Sequence, residues 1–184
     1  MKPEIKLKFV KFGSLMILIL AAACSSIPPS SQTPDPHLTT FTDQNKYYQI
    51  QVPNGWKHEQ SSGSHYYVDT FTAPDSNAVI QNIAYDDGTP ISGSTNAQFA
   101  LNLLDKYFSA SGQTNAITID DASMMDDGSE RLKWTAASID ASGISFVEIR
   151  NQTTFLIFTV EWKNQYESQY FNMLTQVVSS YTVP

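Results

Sequence analysis

Only one of the 184 residues is cysteine and three are histidine, while Lys and Arg number 11 against 18 Asp and Glu. A lone thiol excludes an intramolecular disulfide framework and any zinc or iron–sulfur site built from several cysteines. The shortage of basic residues leaves a formal charge of −7. That disfavours nucleic acid as the main partner, because a phosphate polymer repels an acidic surface. No apolar run reaches the roughly 20 residues that a membrane-spanning helix needs. Internal repeats are missing, as are Gly-x-Ser-x-Gly and Ser-x-x-Lys, so the usual sequence marks of an activated serine are not there. What is present is a hydrophobic content of 41%, 12% aromatic, enough to bury the core of one domain.

Residues 1–23 read as an export signal. Lys2, Lys6, Lys8 and Lys11 form a basic start, offset only by Glu4, and Leu15-Met16-Ile17-Leu18-Ile19-Leu20 is an apolar run of signal length. Ala21-Ala22-Ala23 then leads to Cys24, so the only thiol stands at the expected cut. This arrangement resembles the lipobox of bacterial lipoproteins, with Ala21 where that pattern prefers Leu. The resemblance implies a diacylglycerol on Cys24, cleavage before it, and acylation of the new N-terminus. An ordinary secretory cut at the Ala run, or an uncleaved anchor, is the alternative. Two or more acyl chains hold a protein firmly where one does so only marginally.

Residues 24–37 carry four prolines, Pro28, Pro29, Pro34 and Pro36, among Ser, Gln and Thr. Such a stretch cannot pack a core and favours extended, solvated backbone of about 3.1 Å per residue, so it reads as a tether. Ser25 rather than Asp follows Cys24, which in a two-membrane cell leaves a lipoprotein free for the outer membrane. The expected location is the outer face of the cell membrane, or the outer membrane. Beyond a cut before Cys24 remain seven basic and 17 acidic residues, a charge of −10. Anionic headgroups repel such a body, so the lipid must do the holding.

Residues 38–184 read as one globular domain. Period-two alternation predicts a strand over 46–52, and β-branched and aromatic runs predict strands over 65–71 and 78–85, in a meander with Pro53-Asn54-Gly55 as a turn. Ser94 or Thr95 can cap a helix whose stripe is Phe99, Ala100, Leu103, Leu104, Tyr107 and Phe108, stopped at Ser111-Gly112. Strands resume over 116–120, 130–137, 144–150 and 154–162, with turns at Asp126-Asp127-Gly128 and Ala141-Ser142-Gly143. A last helix is predicted from about Gln165 to Ser179, with Tyr166, Tyr170, Leu174, Val177, Val178 and Tyr181 on one face. The expected fold is α+β: an antiparallel sheet of six to seven strands flanked by two helices.

Tyr47-Tyr48-Gln49-Ile50-Gln51-Val52-Pro53-Asn54-Gly55-Trp56 resembles the opening of PsbP-like domains, where an aromatic-bearing strand runs into Pro-x-x-Trp. The element order is similar too, and DcrB-type bacterial lipoproteins share the layout. The resemblance spans about residues 40–182. It implies an α/β/α sandwich and a non-catalytic accessory protein that binds larger membrane assemblies. It supplies no catalytic, cofactor or metal residue; Pro53 stiffens the turn and Trp56 closes one end of the core.

Candidate chemistry is thin. His58 and His65 flank Glu59-Gln60-Ser61-Ser62-Gly63-Ser64 and make at most a weak metal site, without a third ligand. Asp120, Asp121, Asp126 and Asp127 are paired rather than alternate, so an acidic turn is favoured over a calcium loop. Glu148 and Glu161 sit on strands able to meet as a carboxylate pair. Tyr47, Tyr66, Tyr67 and Trp56 are the candidate binding residues, since exposed Tyr is common at contacts with proteins and sugars. The first expectation is therefore a lipid-anchored binding protein with a partner in the envelope and no cofactor. A small-molecule or lipid-binding module using a sheet–helix cleft is the alternative, and a hydrolase comes third.

Overall fold

The structure is a computed structural model that describes residues 37–91 and 117–184, all inside one compact unit, Pro34–Pro184. The expected leader, Cys24, nearly all of the tether and the helix expected between Ser94 and Ser111 lie outside the described residues.

Nine strands are described: β1 (Leu38–Thr42), β2 (Gln49–Pro53), β3 (Lys57–Ser62), β4 (Tyr66–Thr72), β5 (Ala78–Tyr85), β6 (Thr118–Met124), β7 (Glu130–Ala136), β8 (Ala141–Arg150) and β9 (Thr154–Lys163). One α-helix follows, α1 (Glu167–Ser179), entered through a 3₁₀ turn at Asn164–Tyr166. Seven strands form an antiparallel sheet in the order β3-β4-β5-β9-β8-β7-β6, and β1 and β2 pair as a separate ribbon. The architecture is thus a mostly antiparallel sheet with a C-terminal helix. The second flanking helix of the sequence reading is not among the described elements. None of these is a helix long and apolar enough to cross a membrane.

Register explains the layers. Cross-strand partners share a face, so Ile80, opposite Phe71 and Val160, lies with them on the first face. There the ribbon's Tyr48, Ile50 and Val52 join them, along with Tyr170, Leu174 and Val177 of α1. The spacing of those three helix residues is the amphipathic stripe anticipated from sequence. Ile83, Ile157, Val147 and Leu132 lie on the second face with Phe155. β9 is central and nearly every residue in it is buried, which is why its sequence, Thr-Phe-Leu-Ile-Phe-Thr-Val, is an apolar run rather than an alternation. The chain end is pinned as well: Gln49 and Thr182 exchange backbone hydrogen bonds of 2.8 and 2.9 Å.

Three expectations are corrected. The ribbon strand Gln49–Pro53 is not part of a meander with β4 and β5 but pairs with β1, which has too few apolar residues to be read as a strand. Residues 57–62 form β3 although every one is exposed; edge pairing with β4 supplies its hydrogen bonds, and its polarity guards an open edge. Ala141-Ser142-Gly143 opens β8 instead of turning. The turn comes earlier, at Ala137–Ile139, with Asp140 in the left-handed region at φ 52°. Gly143 faces Trp134, and a Cβ there would overlap the buried indole, so a residue that resembles a turn former is required for close approach.

Two predictions follow from this packing. Gly143→Ala should cost about 2 kcal/mol by overpacking against Trp134, read as a lower urea midpoint and altered tryptophan emission. Glu161, on the second face opposite Val79 and Gly143, is desolvated, and burial pushes its carboxyl up to about 7 although Lys163 pulls it down. The folded state therefore holds this proton after the unfolded state has released it. Its penalty is absent below the unfolded value near 4.5 and grows as pH rises toward and through about 7. Glu161→Gln should stabilise the protein by about 2 kcal/mol at pH 8 and by nothing near pH 4, as measured by urea unfolding at both.

Candidate functional site

At one end of the first face, three of the four candidate aromatics meet. Tyr47, Tyr66 and Tyr67 line an open depression of about 240 Å³ together with Asn45, His65 and Asp86. Each is placed by a different device. Tyr47 is carried by the loop between β1 and β2, where Asp43 Oδ2 accepts the amides of Asn45 and Tyr47, both at 3.0 Å. Arg150 reaches across to donate to the Tyr47 carbonyl. Tyr66 begins β4 and is 48% exposed; its ring lies against Gly63, where a Cβ would overlap it. Tyr67 is 9% exposed and forms the floor beside Ala84 and Leu156, with Tyr47 packed on them. Of the two adjacent tyrosines of β4, Tyr67 shares the inward face with Phe71, four residues on, and Tyr66 is the exposed one.

Behind this floor runs a polar network that reaches from the buried Asp69 and Tyr48 out to the exposed edge strand. The Tyr67 hydroxyl accepts from Gln60 Nε2, which also donates to Asp69 Oδ1 at 3.1 Å. Asp69 has no exposed surface; its Oδ1 also lies 2.7 Å from His58 Nε2, and Tyr48 donates to its Oδ2 at 2.7 Å. Burial first, then the Asp69 carboxylate, drives the Tyr48 hydroxyl far above the ordinary phenol range. Burial likewise raises Tyr67, helped by the charges of Asp69 and Asp43. The same cause raises Asp43 against the pull of its backbone bonds. Neither tyrosine is thereby an acid or nucleophile at neutral pH; the arrangement holds shape. Tyr67, Asp69 and Phe71 stand at alternate positions of one strand, so a carboxylate between two aromatics on one face was the available signal for a network that was not anticipated.

The other candidates fall elsewhere. Trp56 is half-buried far along the face, edge-on to Tyr170 with ring centroids 6.1 Å apart, and takes no part in the depression. His58 stacks on Phe71 at 4.5 Å, whereas His65 lies beyond the strand β3, so the supposed loop between the histidines is mostly a strand. Among the described residues no group of three or more His, Cys, Asp or Glu is placed to hold a metal. Asp121 pairs with Arg131 at 3.0 Å on the β6–β7 ladder, while Asp127 binds Ser129 in the hairpin turn, so the four aspartates do not converge. Glu148 stands opposite Leu156 and Glu161 opposite Gly143. The two carboxylates are therefore five positions apart along the ladder, roughly 17 Å, and form no pair.

A second concavity, about 210 Å³, lies on the same face where α1 ends. It is walled by Phe146, Leu156, Phe158 and Val178, with Tyr181, Met125, Asp127, Ser129 and Glu148 around it. Arg150 holds both Glu148 oxygens, at 2.7 and 2.9 Å.

A mostly antiparallel sheet with this helix and ribbon is a PsbP-like fold. The solution structure of cyanobacterial PsbP (CyanoP) from Synechocystis sp. PCC 6803 matches with a TM-score of 0.61 at 15% identity, over 86% of this chain and 99% of that one. A crystal structure of a protein of unknown function, PA94 from Pseudomonas aeruginosa, described as a putative regulator, covers 80% of this chain and 97% of its own at 15% identity; its TM-score of 0.41 is too low to bear on the fold. No family model matches the chain, and no curated protein matches it in sequence.

Asp69→Ala should cost about 3 kcal/mol, because it leaves the buried Tyr48 hydroxyl without its acceptor, empties the space of a fully buried side chain and removes the bonds that His58 and Gln60 of the exposed edge strand make to it. Tyr48→Phe should cost about 1 kcal/mol. The double variant should fall short of the sum, measured as a double-mutant cycle in denaturant.

Proposed function

We propose that the chain is a lipid-anchored, extracytoplasmic, non-catalytic accessory protein. It is held at the cell membrane or outer membrane through acylated Cys24 and presents the tyrosine depression to a protein assembly or other component of the envelope. The observation that carries this reading is the gathering of Tyr47, Tyr66 and Tyr67 around one open concavity in a fold shared with PsbP. Tyr supplies a large contact area with a polar tip at low entropic cost. The polar network fixes the floor, so little ordering remains for a partner to impose. The lipobox-like Ala21-Ala22-Ala23-Cys24 supports the anchor, and the proline-bearing stretch after it supports a stand-off from the bilayer.

The anchor is tested by feeding cells an alkyne fatty acid: the wild type should take up label and Cys24→Ala should not, and an unlabelled wild type or an intact Met1 end overturns it. The surface is tested with a photocrosslinking residue at Tyr66 in native membranes. A discrete adduct is expected there and none from Glu59 on the exposed edge; equal adducts at both, or none at either, refute the docking role.

A further inference from the structure

We infer that the concavity at the end of α1 is a binding site for a primary ammonium carried on a short apolar or aromatic body. The walls fit the body: Phe146, Leu156 and Phe158 of the sheet and Val178 of the helix are apolar, with ring centroids 5.0 Å apart between Phe158 and Tyr181 and 6.3 Å between Phe146 and Phe158. A small-molecule site is of this kind, mostly apolar with a few placed polar groups. The polar groups here select the head.

Two of them are carboxylates, Asp127 and Glu148, and among the described residues no cationic side chain lines the cavity, although Arg150 Nη2 donates to the Tyr181 hydroxyl at its rim at 3.5 Å. Arg150, just outside, neutralises Glu148 through its paired bonds. That leaves Asp127, in which Ser129 N and Oγ both bond to the same oxygen, Oδ1, at 2.9 and 2.6 Å. Those bonds hold the Asp127 carboxyl below its ordinary range, so it is charged at neutral pH. The Tyr181 hydroxyl lies within the field of both carboxylates; burial raises it to about 12, with Arg150 opposing. The local balance is therefore one negative charge facing an apolar cup. An ammonium completes a charge-assisted hydrogen bond there, an alcohol fills the cup without it, and a carboxylate is repelled. The acidic chain outside the cavity favours the same sign of ligand. None of the residues around an ammonium at Asp127 lines the tyrosine depression, and its binding does not rest on the anchor.

The test titrates the ¹⁵N-labelled full chain with phenethylammonium, 2-phenylethanol and phenylacetate at neutral pH, following amide shifts. The expected order is ammonium tightest, alcohol weaker and carboxylate weakest, with shifts centred on Phe146, Phe158, Val178 and Tyr181. Asp127→Asn should weaken the ammonium about tenfold while leaving the alcohol within about twofold. Val178→Phe should abolish all three by filling the cup. Should that variant fail to fold, the shift map and Asp127→Asn still decide. Equal affinity for the three probes, an unchanged ammonium affinity in Asp127→Asn, or shifts centred on another surface overturns the inference.

Discussion

A carboxylate with no surface of its own governs the first face of the sheet. Asp69 cannot stay in the interior unless its oxygens are occupied, and the three partners it recruits come from two elements: Tyr48 of the ribbon, and His58 and Gln60 of the edge strand. β3 is exposed throughout, so beyond its backbone ladder it is attached by these side-chain bonds and by the stacking of His58 on Phe71. The ribbon, lying outside the main sheet, is fastened by the same group together with Phe41, which sits 4.9 Å from both His58 and Phe71. Through Gln60 the network also reaches the Tyr67 hydroxyl. The floor of the depression thus inherits its rigidity from a charge that never meets solvent.

The two concavities share a wall. Leu156 of the central strand contributes to the second and stands beside Ala84 and Tyr67, which line the first. Tyr47 packs over this junction, and Arg150 ties its carbonyl to Glu148 on the far side. A single loop between β1 and β2 therefore divides an open, polar, tyrosine-rich hollow from a narrower apolar one. That loop is shaped by two amide bonds to Asp43 and by Lys46 at φ 58°.

Much of this was legible before any coordinates. Ala78–Tyr85 has the bounds its β-branched and aromatic residues predict, and α1 begins two residues after the expected Gln165, because the intervening turn is 3₁₀. What the pattern could not reveal are elements whose stability comes from neighbours: β3 has no apolar periodicity, and β1 offers only Leu38 and Phe41. Small residues misled at Ala141–Gly143, where the demand is room for an indole rather than a bend. Of the candidate contacts, Tyr47, Tyr66 and Tyr67 do come together, but their assembly depends on a strand pairing and a loop conformation that no local spacing encodes. Trp56 separates from them because its partner, Tyr170, comes from the distant helix.

The pairing of Thr182 with Gln49 has a geometric result of its own. Thr182 bonds at the end of β2 that faces Thr42, whereas the chain enters the ribbon at Leu38, opposite Pro53. Entry and exit thus stand at opposite ends of one short ladder, about 15 Å apart. A label at Thr182 would therefore stand a whole ladder's length from one at Leu38, on the two sides of the same ribbon.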